Sequence, residues 1–155
     1  MNQATHQELR ITRIFDAPPE LVYRAFVDPD QLSEWFGPVG FSVPPETVQI
    51  DARPGGFQRF VMVNDEDETI RSPVDATFSE VVENELLAGH EDVEGIPGMS
   101  GRVRFHMRLE FHEEPGGKTR LELHQGPYTE EMGAEAKSGW ESSFTKLDSL
   151  LRRSL

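Results

Sequence analysis

Residues 127–155 read PYTEEMGAEAKSGWESSFTKLDSLLRRSL, and the reading of this stretch decides the fold. Trp140, Phe144, Leu147 and Leu151 recur at helical spacing and form one apolar stripe. Glu141, Lys146, Asp148 and Arg152 take the other faces. Arg152 and Arg153 fall in the last turn, where cations complement the negative end of the helix dipole. Almost everything before this helix reads as short strands. An antiparallel sheet with one apolar face needs a cover, and this is the long helix available to it. The expected class is α+β, with a curved antiparallel sheet wrapped around a long C-terminal helix. Gly133 and Gly139 each weaken a continuous helix by roughly 1 kcal/mol relative to alanine. Ser138-x-x-Glu141 is itself a capping-box pattern, so the spacing predicts a kink near Gly139 and a main helix to about Arg153.

Composition narrows the function classes. The chain has 155 residues, the size of one domain, expected to span 1–155 with its core over about 8–153. Its 15 basic and 28 acidic side chains give a net charge of -13, which argues against nucleic acid or an anionic membrane as partner. Without cysteine there is no disulfide, thiolate nucleophile or cysteine metal site. The opening MNQATHQELR has no apolar run suited to a signal peptide or a membrane span, and a cytoplasmic location is expected.

Working outward from the helix, residues 102–112 alternate cleanly. Val103, Phe105, Met107, Leu109 and Phe111 form a dry face against Arg102, Arg104, His106, Arg108, Glu110 and His112. A Glu114-Pro115-Gly116-Gly117 turn leads to a last strand with Thr119, Leu121, Leu123 and Gln125 on the dry side. Gln125 thus brings an amide towards the interior, or bonds to nearby backbone at the strand end. Earlier strands are expected over 8–15, 41–51, 57–64, 70–82 and 86–91. Pro44-Pro45 confines the start of the second to an edge or bulge. In the third, Phe57, Val61 and Val63 compete with Phe60 and Met62 for the inside. Gly95, Pro97, Gly98 and Gly101 make the connection to residue 102 loose. Two short helices follow the first strand, one opened by Asp16 and Pro18-Pro19, the other by Asp28-Pro29.

Several sequence words resemble the SRPBCC (START-like) superfamily. They are Thr12-Arg13-Ile14-Phe15-Asp16-Ala17-Pro18 with Leu21-Val22-Tyr23-Arg24-Ala25-Phe26, then Asp28-Pro29 with Leu32, and Trp35-Phe36-Gly37-Pro38. Asp51-x-Arg53-Pro54-Gly55-Gly56 and Gly139-Trp140-Glu141 with Leu147 are similar to the branch named for homologues of the heat-shock protein 90 ATPase activator. The resemblance implies a helix-grip fold, about seven strands around the long helix with an elongated cavity between them. It also implies binding of lipids, sterols, polyketides or other apolar molecules, cyclase or aromatase activity in some members, and, from the branch name, a chaperone association.

The residues expected around such a cavity are Trp35, Phe36, Phe60, Phe78, Phe105, Met107, Leu109, Leu123, Gln125, Trp140 and Phe144. The same side chains would serve equally as plain core. Metal binding by histidine fails on distance, because His106 and His112 stand about 20 Å apart on one strand and His124 completes no set. Nucleophilic catalysis lacks its parts: there is no G-x-S-x-G elbow and no cysteine. For acid–base chemistry His90, Asp75 and Arg59 are conceivable, although surface positions suit them as well. The expected function is binding of a small hydrophobic or amphipathic molecule by a monomer or homodimer, with no cofactor. A polyketide-cyclase-like enzyme and a chaperone-associated interaction protein are the alternatives.

Overall fold

The computed structural model describes residues 7–96 and 101–154; Pro97 and Gly98 of the loose connection lie outside them. β1 (Gln7–Phe15) is followed by α1 (Pro19–Val27) and α2 (Pro29–Trp35). Asp28 caps α2 by accepting from the Asp30 and Gln31 N–H groups, and Pro29 takes the first turn. Asp16 does not cap α1. Its N-cap is Pro18, without a side-chain bond, and the fixed φ of Pro19 starts the helix instead.

The strand expected over 41–51 is two pieces, β2 (Phe41–Ser42) and β3 (Gln49–Asp51), split by a 3-10 turn at Pro45–Thr47. The prolines have no N–H for a ladder. Thr47 bridges the interruption by accepting from the Val61 N–H at 3.2 Å through Oγ1. β4 (Phe57–Asn64), β5 (Arg71–Val82), β6 (Leu86–Glu94), β7 (Arg102–Glu114) and β8 (Lys118–Tyr128) then form long antiparallel ribbons. The order is β1-β8-β7-β6-β5-β4-β2, with β3 also on β4, giving eight strands where the resemblance implies about seven. In β4 the contest for the inside goes to Gln58, Phe60 and Met62, which line the interior.

α3 (Glu130–Ser154) runs unbroken for 25 residues, so the kink expected at Gly139 is absent. Thr129 caps it, Oγ1 accepting from the Met132 N–H at 3.2 Å. Tertiary packing offsets the two glycines: Trp140, Ser143, Phe144, Leu147, Leu150 and Leu151 are all buried. Phe144 is fully buried, edge-on to Phe15 at 5.2 Å and stacked on Trp35 at 6.3 Å. Arg13 of β1 clasps Asp148 of α3 through two bonds of 3.0 and 2.7 Å, with its guanidinium 4.8 Å from the Phe15 ring. The Trp35 indole N–H donates to the Ala25 carbonyl at 2.8 Å, which joins α2 to α1.

Two substitutions in α3 test this account in urea denaturation. Phe144→Ala is expected to cost ~3–5 kcal/mol, since the ring is fully enclosed. Gly139→Ala is expected to stabilise by up to ~1 kcal/mol, because an added Cβ meets nothing within 4 Å.

Candidate functional site

The inner face of the sheet is sealed at one end and open at the other. Along β7, Leu109 and Phe111 are buried whereas Val103, Phe105 and Met107 remain partly exposed. Along β8, Thr119, Leu121 and Leu123 are buried, and Gln125 and Tyr128 are only partly so. The opposing helix explains the gradient. Its C-terminal half presents Phe144, Leu147 and Leu151, which fill the space. Towards its N-terminus Ala136, Gly139 and Ser143 are too small to reach the sheet and, with Trp140 at the border, line an apolar cavity of about 260 Å³.

Of the residues expected around the cavity, Phe36, Phe60, Phe78, Phe105, Met107, Leu109, Gln125 and Trp140 do line it. Trp35, Leu123 and Phe144 do not: each is 0% exposed and packed in the core behind the wall. At the boundary, the Trp140 indole N–H donates to Gln125 Oε1 at 2.8 Å, and the Gln125 amide N–H reaches Met107 Sδ at 3.7 Å. Gln125 therefore enters the interior, and its partner is an indole rather than local backbone.

Of the acid–base candidates, Arg59 and Asp75 lie on the outer face, and His90, on the outer phase of β6, also borders the cavity. Arg59 pairs with Asp75 at 3.1 Å and covers the Phe57 ring at 4.2 Å. His90 is the cross-strand partner of His106, their rings 6.4 Å apart, on the side opposite Met107 and Leu109. One residue further along β6, the inward position belongs to Glu91, opposite Phe105. The strand expected over 86–91 ends at Glu91, whereas β6 continues to Glu94. The signal was the phase of β6: Leu87, Gly89, Glu91 and Val93 share the face that pairs with Leu109, Met107, Phe105 and Val103.

Glu91 sits where the sheet divides. Pairing between β5 and β6 stops at Thr77–His90; beyond it β5 pairs only with β4, and β6 only with β7. The Glu91 carboxylate fills the gap, its Oε2 accepting from the Asp75 backbone N–H at 2.7 Å. Among the described residues it forms no ion pair. Burial raises its pKa above the ordinary glutamate value, the Asp75 N–H works against this, and the Asp75 charge adds to it. Tyr128, which also lines the cavity, is pushed up to about 12 by burial and by the Glu91 charge, so its hydroxyl stays protonated. Gln58, 7% exposed, makes no side-chain hydrogen bond among the described residues and lines the same space.

On the outer face Glu110, His112 and Glu122 bring ligand-type atoms within 4.8 Å of one another. Each carboxylate already holds a guanidinium, Arg108 on Glu110 at 2.7 Å and Arg120 on Glu122 at 2.9 Å. The arrangement is that of an ion-pair ladder. No described helix is long and apolar enough to cross a membrane.

A curved antiparallel sheet gripping one long helix, with a cavity left between them, defines the helix-grip class. The family model for "Activator of Hsp90 ATPase homolog 1-like protein" matches residues 16–152, and the chain belongs to that family. An AHSA1 protein from Silicibacter pomeroyi superposes with a TM-score of 0.78 at 27% identity, covering 96% of this chain and 100% of that one. A protein from Chromobacterium violaceum gives 0.79 at 26% identity, covering 93% and 96%. One from Mycobacterium smegmatis, at 22% identity and TM-score 0.76 over 99% of each chain, shares the fold. No curated protein matches the chain.

Glu91→Gln tests the placement of the carboxylate through stability. A carboxyl whose pKa rises on folding binds its proton more tightly in the folded chain, so it costs stability at pH values above the ordinary glutamate range. Glutamine keeps an acceptor for the Asp75 N–H. The variant is expected to melt higher than the parent at pH 7, with the gain fading as pH falls below that range, read by calorimetry across pH.

Proposed function

We propose that this protein binds a small hydrophobic or amphipathic molecule in the cavity between the sheet and the first half of α3. The observation that carries the reading is the change along α3 from large to small inward residues. Where Phe144 and Leu147 seal the core, Ala136 and Gly139 leave an apolar space of about 260 Å³. That is just below the range of about 300–1,000 Å³ usual for small-molecule sites, which suits a compact occupant. Aromatic walls from Phe36, Phe105, Tyr128 and Trp140, with flexible Met62 and Met107, suit an apolar body of adaptable shape. Family membership supports the same reading.

A cyclase-type enzyme is the second reading, and Glu91 favours it. A carboxyl in an apolar cavity, with its proton affinity raised, is the group that acid–base chemistry on a bound apolar substrate requires.

N-phenyl-1-naphthylamine, an uncharged fluorescent probe, tests the binding reading. Saturable enhancement by the parent chain, lost on Ala136→Trp with the melting temperature retained, is the expected result. A chain that gives no saturable signal, and carries no small molecule in native mass spectrometry, would overturn the carrier reading. Weight would then pass to an interaction protein with an unused cavity.

A further inference from the structure

We propose that the cavity is selective for cationic amphiphiles: an apolar body among the aromatic walls and a protonated amine against Glu91. The inference deepens the binding reading above and rests on it. Four observations carry it. Glu91 lines the cavity at the division of β5 from β6, and one carboxylate oxygen is taken by the Asp75 N–H. The other oxygen has no partner among the described residues, so one acceptor remains for a ligand. No lysine or arginine lines the cavity among the described residues, and His90 and His106, which border it, stand on the outer phase of their strands, so a carboxylate or phosphate head would face Glu91 without a fixed counter-charge beside it. The Phe105 and Tyr128 rings, 5.4 Å apart, stand beside that position, with Phe105 directly across the ladder from Glu91. Aromatic faces attract an ammonium group that a neutral or anionic head would not exploit.

Of the remaining polar side chains, Gln58 has no side-chain partner among the described residues but carries no charge, and two others are committed. Gln125 is committed to Trp140 and Met107, and Ser143 donates to the Gly139 carbonyl at 3.0 Å. Neither competes for the head group. The net charge of -13 adds a long-range field that draws cations in and turns anions away. Bound ammonium would also supply the counter-charge that the partly buried carboxylate otherwise lacks.

The test uses three ligands of one chain length, decylammonium, decanol and decanoate, each displacing N-phenyl-1-naphthylamine from the full chain at neutral pH. Decylammonium is expected to displace the probe at about tenfold lower concentration than decanol, and decanoate to be the weakest. In Glu91→Gln the advantage of the cation over decanol should shrink to about twofold or less. Probe binding with no discrimination among the three would overturn this inference and leave the carrier reading standing. A cation preference that survives intact in Glu91→Gln would also overturn it, assigning the effect to the overall charge. Failure to bind the uncharged probe at all would overturn both readings together.

Discussion

Phe144 is the point on which the structure closes. Its ring meets Phe15 from the first strand, Trp35 from the second helix and Trp140 from one turn earlier in its own helix, and it is fully buried. Those contacts join three regions far apart in sequence, and the Arg13–Asp148 clasp fixes the same junction from the side. Once α3 is held there, its direction is set. The helix is stiff and the sheet is curved, so its earlier turns must pass over the sheet whether or not their side chains can reach it. Large residues close the junction, and small residues beyond it leave the cavity. The packed core and the cavity thus occupy successive segments of one helix.

Within the cavity the polar groups divide by role. The Trp140–Gln125 bond satisfies an indole N–H and a side-chain oxygen at the border of core and cavity, positions that would otherwise be costly to leave unpaired. Glu91 is different. Its environment disfavours the ionised form, and nothing in the fold neutralises it among the described residues. A group whose ionised form is disfavoured, and which holds one backbone N–H but no cation among the described residues, is a candidate for chemistry or recognition.

The sequence was most informative where periodicity was strong. Alternation over Val103–Phe111 and the stripe from Trp140 to Leu151 identified sheet, helix and their facing surfaces, and the family words agreed with both. It was least informative where a local signal met a tertiary one. Gly139 reads as a helix breaker, yet the packed turns on its C-terminal side hold the helix straight. Trp35, Leu123 and Phe144 have the composition of cavity wall but sit behind it, because composition does not record how far a side chain lies from the sealed end. Glu91 reads from sequence as an acidic strand end, and only the Leu87–Leu109 register shows that its position faces inward.

The division between β5 and β6 has a kinetic side. The cavity is lined from both sides of the division, by Val74 and Ala76 on one strand and Gly89 and Glu91 on the other. Gly89 marks where the two strands still touch; a Cβ there would lie 2.2 Å from the Thr77 carbonyl oxygen. Past that point no ladder pairing joins the two strands among the described residues, and the Glu91 side chain bonds the Asp75 N–H across the gap. An opening at this seam would break that one bond and leave the paired strands on either side intact. On the proposed binding reading, exchange of an occupant through the seam would not need local unfolding of the ladders on either side.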